Sequence, residues 1–147
     1  MADETNQLRV RLVTPECTLF EHLATAVELP AKTGYLEVLY GHAPLVTALG
    51  AGDVTLHGVP DGPESVSRYN VSWGFAEVLG NRVTILAADA LRPEEIDVPR
   101  AQEQLARGRR QWSEADEREE AYTEALRVIA EAEAKLASAV ESPASHK

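Results

Sequence analysis

The sequence is poor in cysteine, in aromatic residues and in positive charge, and each shortage removes a class of function. Cys17 is the only cysteine, so no internal disulfide can form and a reducing compartment is the natural setting. A lone thiol packs like a small hydrophobe, and Cys17 is expected to fill the interior of the Cys17–Phe20 stretch. Aromatics make up 5% of the 147 residues, which leaves Val, Leu, Ile and Ala to build the core. No run approaches the roughly 18 consecutive apolar residues that span a bilayer, so no direct membrane insertion is expected. The start Met1-Ala2-Asp3-Glu4-Thr5-Asn6 is polar and acidic, unlike a secretory signal. With 14 Lys and Arg against 24 Asp and Glu, the net charge is −10. Such a surface repels phosphate backbones and anionic lipid headgroups, so nucleic acid is excluded and a protein partner is favoured.

Signatures of catalysis are also missing. There is no Gly-rich phosphate loop, no paired-cysteine metal site and no serine nucleophile elbow. The four histidines, His22, His42, His57 and His146, are isolated along the chain. None has a His or Cys at metal-ligand spacing, so no metal is expected and the histidines read as surface or turn residues.

What is present divides into two halves. From Leu8 to about Ala88 the hydrophobic pattern has period two, beginning with the alternation Leu8-Arg9-Val10-Arg11-Leu12. Short apolar runs follow at Cys17–Phe20, Ala26–Leu29, Tyr35–Leu39, Leu45–Leu49, Val54–His57, Arg68–Ser72, Phe75–Leu79 and Arg82–Ala87. Turn residues separate them, among them Lys32-Thr33-Gly34, Gly41-His42-Ala43-Pro44, Gly50-Ala51-Gly52-Asp53 and Pro60-Asp61-Gly62-Pro63. Gly80-Asn81 between Leu79 and Arg82 predicts a tight hairpin. Short strands at this spacing predict a sandwich or barrel over residues 1–90.

Residues 91–147 have another character. Glycine falls to one, Gly108, while Ala, Glu, Gln and Arg dominate. Asp97 followed by Pro99 predicts a helix start. Ala101, Leu105, Gly108 and Trp112 recur at helical steps, and a second stripe runs through Tyr122, Leu126, Ile129, Leu136 and Val140. Ser113-Glu114-Ala115-Asp116 reads as the cap between them, giving a helical hairpin with a frayed tail after Glu141. Its stripes hold few large residues. At about 25 cal/mol per Å² they bury too little to fix the pair rigidly, so a hairpin that detaches or re-docks is expected.

One cluster carries a hint of ligand chemistry. Asp97, Arg100, Gln104 and Arg107 share a helical face just after Ile96, and Ala101 lies in the same first turns. Arginine forks and the N–H groups of a helix start suit an anion. A cap followed by a solvated polar stripe accounts for the same spacing. A free-standing nucleotide sensor built on Asp97, Arg100 and Arg107, and an enzyme using His42, remain open as competing functions.

The segment Gly41-His42-Ala43-Pro44-Leu45, followed by Gly50-Ala51-Gly52, resembles the Gly-His-Ala-Pro-Leu loop of F-type ATP synthase epsilon subunits. Gly74-Phe75-Ala76-Glu77-Val78 with Asn81–Ala87 is similar to a second block of that family. The resemblance covers about residues 7 to 140. It implies an α+β protein, with an N-terminal antiparallel β-sandwich of about ten strands and a C-terminal two-helix hairpin. It implies a non-catalytic rotor-stalk subunit that couples gamma to the c-ring on the cytoplasmic face of the bacterial plasma membrane. The hairpin would extend toward the catalytic alpha and beta subunits to inhibit ATP hydrolysis, with Arg107, Arg109 and Arg110 meeting acidic residues there. Gly41, His42, Ala43, Pro44 and Leu45 become candidates for subunit contact, and Lys32 and Tyr35 for the surface near the c-ring. Ile96-Asp97-x-x-Arg100-Ala101 also resembles the motif by which some bacterial epsilon subunits hold ATP. No cofactor is implied beyond ATP as a weak regulatory ligand. Those relatives carry paired arginines in the second helix where this chain has Glu131 and Lys135, and a carboxylate facing a triphosphate is repulsive. A further departure is Trp73, which stands before Gly74 where many relatives have a second glycine.

Overall fold

The computed structural model describes residues 6–59 and 66–141. The expected turn at Pro60-Asp61-Gly62-Pro63 and the expected tail after Glu141 lie outside them. Seven strands come first: β1 (Leu8–Val13), β2 (Thr18–Ala24), β3 (Ala26–Ala31), β4 (Gly34–Leu39), β5 (Leu45–His57), β6 (Val66–Leu79) and β7 (Arg82–Leu91). A 3-10 turn (Pro93–Glu95) leads to α1 (Val98–Glu114) and α2 (Glu120–Glu141). The chain divides into two compact units, Met1–Leu91 and Arg92–Lys147.

The strands form one sheet in the order β2-β1-β7-β6-β5-β3-β4. Every neighbouring pair is antiparallel except β1 with β7, which run parallel from Arg9↔Arg82 to Val13↔Leu86. The expected antiparallel β-sandwich followed by two helices is what forms, with the β1–β7 pair as its one parallel exception among the described residues, since alternation decides which face a side chain takes and is silent on strand direction. The strand number is corrected, from about ten to seven among the described residues. β5 joins two runs that Gly50-Ala51-Gly52-Asp53 divides in the sequence, and β6 joins the runs Arg68–Ser72 and Phe75–Leu79.

The reason lies in how these long strands bend. Leu49 is buried in the first part of β5, but beyond Gly50 the buried positions become Gly52, Val54 and Leu56. In β6 the buried apolar phase shifts from Val71 to Ala76 and Val78. In β7 it passes from Val83, Ile85 and Ala87 to Ala90, which packs on the core. The shifts fall on adjacent rows, since Leu49 pairs with Gly74 and Gly74 with Ala87. All three strands therefore turn from one layer into the other at one corner, and the sheet folds over on its own core. That core joins Leu8, Val10, Leu12, Val27, Leu29, Val38, Leu49, Val54, Leu56, Val71, Val78, Val83 and Ile85 in one cluster.

Gly74 makes the corner feasible. Its φ is +137°, and a Cβ there would collide with the Leu86 carbonyl oxygen. Trp73, beside it, is held at φ +53°, a left-handed conformation that costs an L-residue on the order of 1 kcal/mol. The Gly80-Asn81 hairpin forms as expected, with Gly80 at φ +62° and Leu79 paired to Arg82. Cys17 is exposed rather than interior. It sits in the turn before β2, where its carbonyl accepts the Thr14 N–H at 2.9 Å, and the turn carries it away from the core.

In the second unit α1 begins as the sequence predicts, with the Asp97 side chain accepting the Arg100 N–H at 3.1 Å. Ser113 does not cap the next helix. It lies in the last turn of α1 and donates to the Arg110 carbonyl at 2.8 Å. The stripe on α2 is also shifted. Ala125, Ala132, Ser138 and Ala139 are buried, whereas Leu126 and Val140 are exposed. Small residues win these positions because the helices approach closely. A Cβ on Gly108 would come within 2.9 Å of the Ile129 Cγ1 and 3.0 Å of the Val128 Cγ1. Beside the loop that joins the two helices, the Trp112 and Tyr122 rings meet at 6.1 Å.

If the corner depends on the backbone at Gly74, Gly74→Ala lowers the unfolding free energy by about 3 kcal/mol or more. Urea titration of the two proteins measures this, and equal midpoints would remove Gly74 from the account.

Candidate functional site

The loop Tyr40–Pro44 joins β4 to β5. Gly41 takes φ +88°, the His42 N–H donates to the Leu39 carbonyl at 3.0 Å, and His42 Nδ1 lies 2.7 Å from the Ala43 carbonyl oxygen. These bonds close the loop on itself and leave Gly41, Ala43 and Pro44 exposed, with His42 and Leu45 half-buried. Turn geometry alone accounts for Gly41. It does not account for the uncovered loop apex or for Leu39 and Tyr40, which lead into it half exposed. Lys32 and Tyr35 lie at the opposite end of β4, so the two groups of candidate contact residues are separated by that strand. Tyr35 has a structural task as well, its hydroxyl accepting the Asp53 N–H at 3.0 Å.

The structure adds a surface that the sequence reading missed. On the outer face of the sheet, register aligns three rows two residues apart. Val13, Leu86, Phe75 and Ala48 form the first, and Arg11, Thr84, Glu77 and Val46 the second. Arg9, Arg82 and Leu79 form the third. Phe75 is 57% exposed, Val46 67%, Leu79 61% and Leu86 50%. Single exposed apolar residues are ordinary, but here Phe75 is paired with Leu86, and Val46 lies diagonal to both Phe75 and Leu79 around Glu77, the kind of apolar grouping that suits an interaction surface. The signal was present in Leu45-Val46 and Phe75–Leu79, where both phases of the alternation hold apolar residues.

Beside this patch lies an open cleft of ≈ 340 Å³ lined by Arg9, Arg11, Arg82, Glu21 and Thr84. Arg9 and Arg82 are direct neighbours in the parallel pair, and Arg9 reaches Glu21 at 3.4 Å. Three arginines together on a chain of net charge −10 form a local basic field suited to carboxylates on a partner.

The cluster on α1 is only partly assembled. Asp97 is engaged by its own helix, Ile96 and Ala101 are buried, and Arg100 and Arg107 are exposed. Gln104, on the same face, donates to the Val128 carbonyl at 3.2 Å and ties α1 to α2. On α2, Glu131 and Lys135 face each other at 4.0 Å, so the lysine charge is compensated within its helix. Arg109 reaches Glu133 at 4.0 Å with both side chains more than half exposed, a contact worth about 0–1 kcal/mol. Arg110 is exposed.

Comparison with known proteins bears on both units. The family model described as "ATP synthase, Delta/Epsilon chain, beta-sandwich domain" matches residues 7–93. The ATP synthase epsilon chain of Koribacter versatilis is 48% identical over 94 residues, which are 63% of this chain and 62% of that one. The chain thus spans less than two thirds of that relative. The epsilon chain of Lactobacillus gasseri is 36% identical over 118 residues, 80% of this chain and 81% of that one. Among solved structures, a chain of the Euglena gracilis mitochondrial ATP synthase matches 95% of this chain and 85% of its own length. Its TM-score is 0.77 at 22% identity. A chain from the Tetrahymena thermophila mitochondrial ATP synthase central stalk and c-ring has a TM-score of 0.60 at 15% identity, covering 90% of this chain and 96% of that one. At such identities the structures establish likeness of fold.

Replacing Asp97 by Ala removes the α1 cap and is expected to cost the second unit about 1 kcal/mol. Faster amide exchange in the first turn of α1 would show it. Unchanged exchange would mean that the carboxylate is not the cap and is free for another partner.

Proposed function

Because the chain belongs to the delta/epsilon-chain family of ATP synthases, we propose that it is the epsilon subunit of a rotary central stalk. In this role it carries no catalytic site and couples the gamma subunit to the c-ring. The observation that carries the reading is the outer face of the sheet. Phe75, Leu79, Leu86 and Val46 are uncovered and flanked by the Arg9, Arg11 and Arg82 cleft. Burying such a face against gamma releases apolar area at about 25 cal/mol per Å², and the arginines give the contact charge register. The loop Gly41–Leu45 and the residues Lys32 and Tyr35 supply the remaining subunit contacts. No helix among the described residues is long and apolar enough to cross a membrane. The proposed station is peripheral, at the cytoplasmic face of the bacterial plasma membrane, held there by the complex.

The hairpin is the regulatory element in this proposal. The α1–α2 interface is lined by Ala101, Gly108 and Ala125, with Val128 and Ile129 beside Gly108. Small side chains bury little area, so repositioning the hairpin costs little. Extended toward the catalytic alpha and beta subunits, it brings Arg107, Arg109 and Arg110 to their acidic surfaces and blocks hydrolysis. The weak Arg109–Glu133 pair is easily surrendered. ATP, as a weak regulatory ligand, would use Ile96, Asp97, Arg100, Ala101 and Arg107. The Glu131–Lys135 pair limits its affinity by placing a carboxylate where a triphosphate would lie.

Phe75→Asp combined with Leu86→Asp is expected to weaken binding to a gamma-containing catalytic head by about thirtyfold or more, with the fold intact by circular dichroism. Undiminished binding would move the docking surface elsewhere. In the same reconstitution, a chain ending at Leu91 is expected to bind but leave ATP hydrolysis uninhibited. Arg109→Glu with Arg110→Glu in the full chain should relieve inhibition in the same way, and inhibition that persists in both would exclude the hairpin as its agent.

A further inference from the structure

The three strands at the other edge of the sheet bring together residues that lie far apart in sequence. Glu28 on β3 is paired directly with Glu37 on β4, and its other neighbour is Thr55 on β5. His57 lies two residues beyond Thr55 on the same face, with Nε2 2.9 Å from Glu28 Oε1. One oxygen from each glutamate and one imidazole nitrogen all lie within 4.8 Å of one another. Like charges directly opposite across an antiparallel pair destabilise it, and a cation between the Glu28 and Glu37 carboxylates would relieve that repulsion. The nearby guanidinium of Arg68, which pairs in register with Thr55, is 3.4 Å from Asp53 and is engaged there.

We propose that Glu28, Glu37 and His57 form a binding site for a divalent cation of the zinc class. The donor set decides the class. An imidazole with carboxylates suits zinc and its transition-series neighbours, whereas magnesium and calcium favour all-oxygen shells. A tetrahedral ion about 2.0–2.1 Å from each donor separates the donors by about 3.3 Å. The Glu28–His57 pair already stands near this value, and the flexible Glu37 side chain closes the remainder by rotation. His57 and Glu28 side chains are 36% and 40% exposed, which leaves room for water in the fourth position.

A bound ion would tie the edge strand β4 to β3 and β5. It would thereby steady the start of the Tyr40–Pro44 loop, which β4 feeds directly. The three donors are invisible to spacing rules because sheet register, not sequence proximity, unites them.

Calorimetric titration of the full chain with zinc chloride at neutral pH, with magnesium chloride as the contrast, tests the site. One zinc equivalent is expected to bind and magnesium to leave the site unfilled. His57→Gln and Glu37→Gln should each weaken zinc binding at least tenfold. Both are near-isosteric changes on partly exposed side chains, and circular dichroism checks that the sheet survives. In the wild type, saturating zinc should slow amide exchange across β4. Failure to bind zinc at about 1 mM, or unchanged affinity in both variants, would overturn the proposal and, in the second case, place the ion on other donors such as Cys17 or His42. Binding is read on the isolated chain, so the outcome is independent of whether the chain docks on a stalk.

Discussion

The bend shared by β5, β6 and β7 is the constraint on which the rest of the first unit depends. Three strands must change layers on adjacent rows, or their backbone hydrogen bonds part and leave buried polar groups unpaired. Gly74 supplies the positive φ at the bend, Gly52 leaves room for Pro30 and Tyr35, and Gly74 is the least replaceable because the Leu86 carbonyl occupies the space of its missing side chain. Trp73 accepts a left-handed backbone beside it, which shows that the surroundings hold this corner firmly. With the corner fixed, the buried phase on each side is fixed as well, and so is the outward phase that carries function.

How much of this was legible in the sequence depends on the range of the interaction that decides each feature. Local rules succeeded where chemistry is local: Asp97 caps α1, Gly80-Asn81 turns a hairpin, and the change from period two to helical period near Leu91 falls where the strands give way to helices. They failed where a glycine bends a strand instead of ending it. Gly50-Ala51-Gly52 looks like a turn to a reader of one chain, but the neighbouring strand bends with it at Gly74 and pairing continues. The parallel pairing of β1 with β7 and the exposure of Cys17 are likewise outcomes of long-range packing. On α2 the assumption that large apolar residues face the partner helix put Leu126 and Val140 inside. Close approach at Gly108 instead selects Ala125, with the larger Val128 and Ile129 half-buried beside it.

The candidate site was legible in part for the same reason. The Gly41–Leu45 loop is contiguous, so its motif stands out in a single chain. The outer face is assembled from four strands, and Phe75, Leu86 and Val46 become one patch only after register is known. The Arg9, Arg11 and Arg82 group is similar, because β1 and β7 are separated in sequence by nearly half of the chain. An overall charge of −10 conceals it, since composition averages over faces that a partner meets one at a time.

The two units divide labour according to what their side chains can bury. The first unit joins Leu, Val and Ile from both layers in one core, and a cooperative interior of this kind resists local opening. It can therefore present a face of exposed apolar residues without yielding its own structure. The second unit pairs its helices through alanine and glycine, ties them by the Gln104 bond and the Arg109–Glu133 rim pair, and keeps large residues such as Leu126 and Val140 outside. On the proposed reading a helix pair built so can be re-docked, because apolar area for a second position is already on its surface. Stability in one unit and reserve in the other are what a rigid coupler with a movable brake requires, and on the proposed reading the sequence distributes its large residues accordingly.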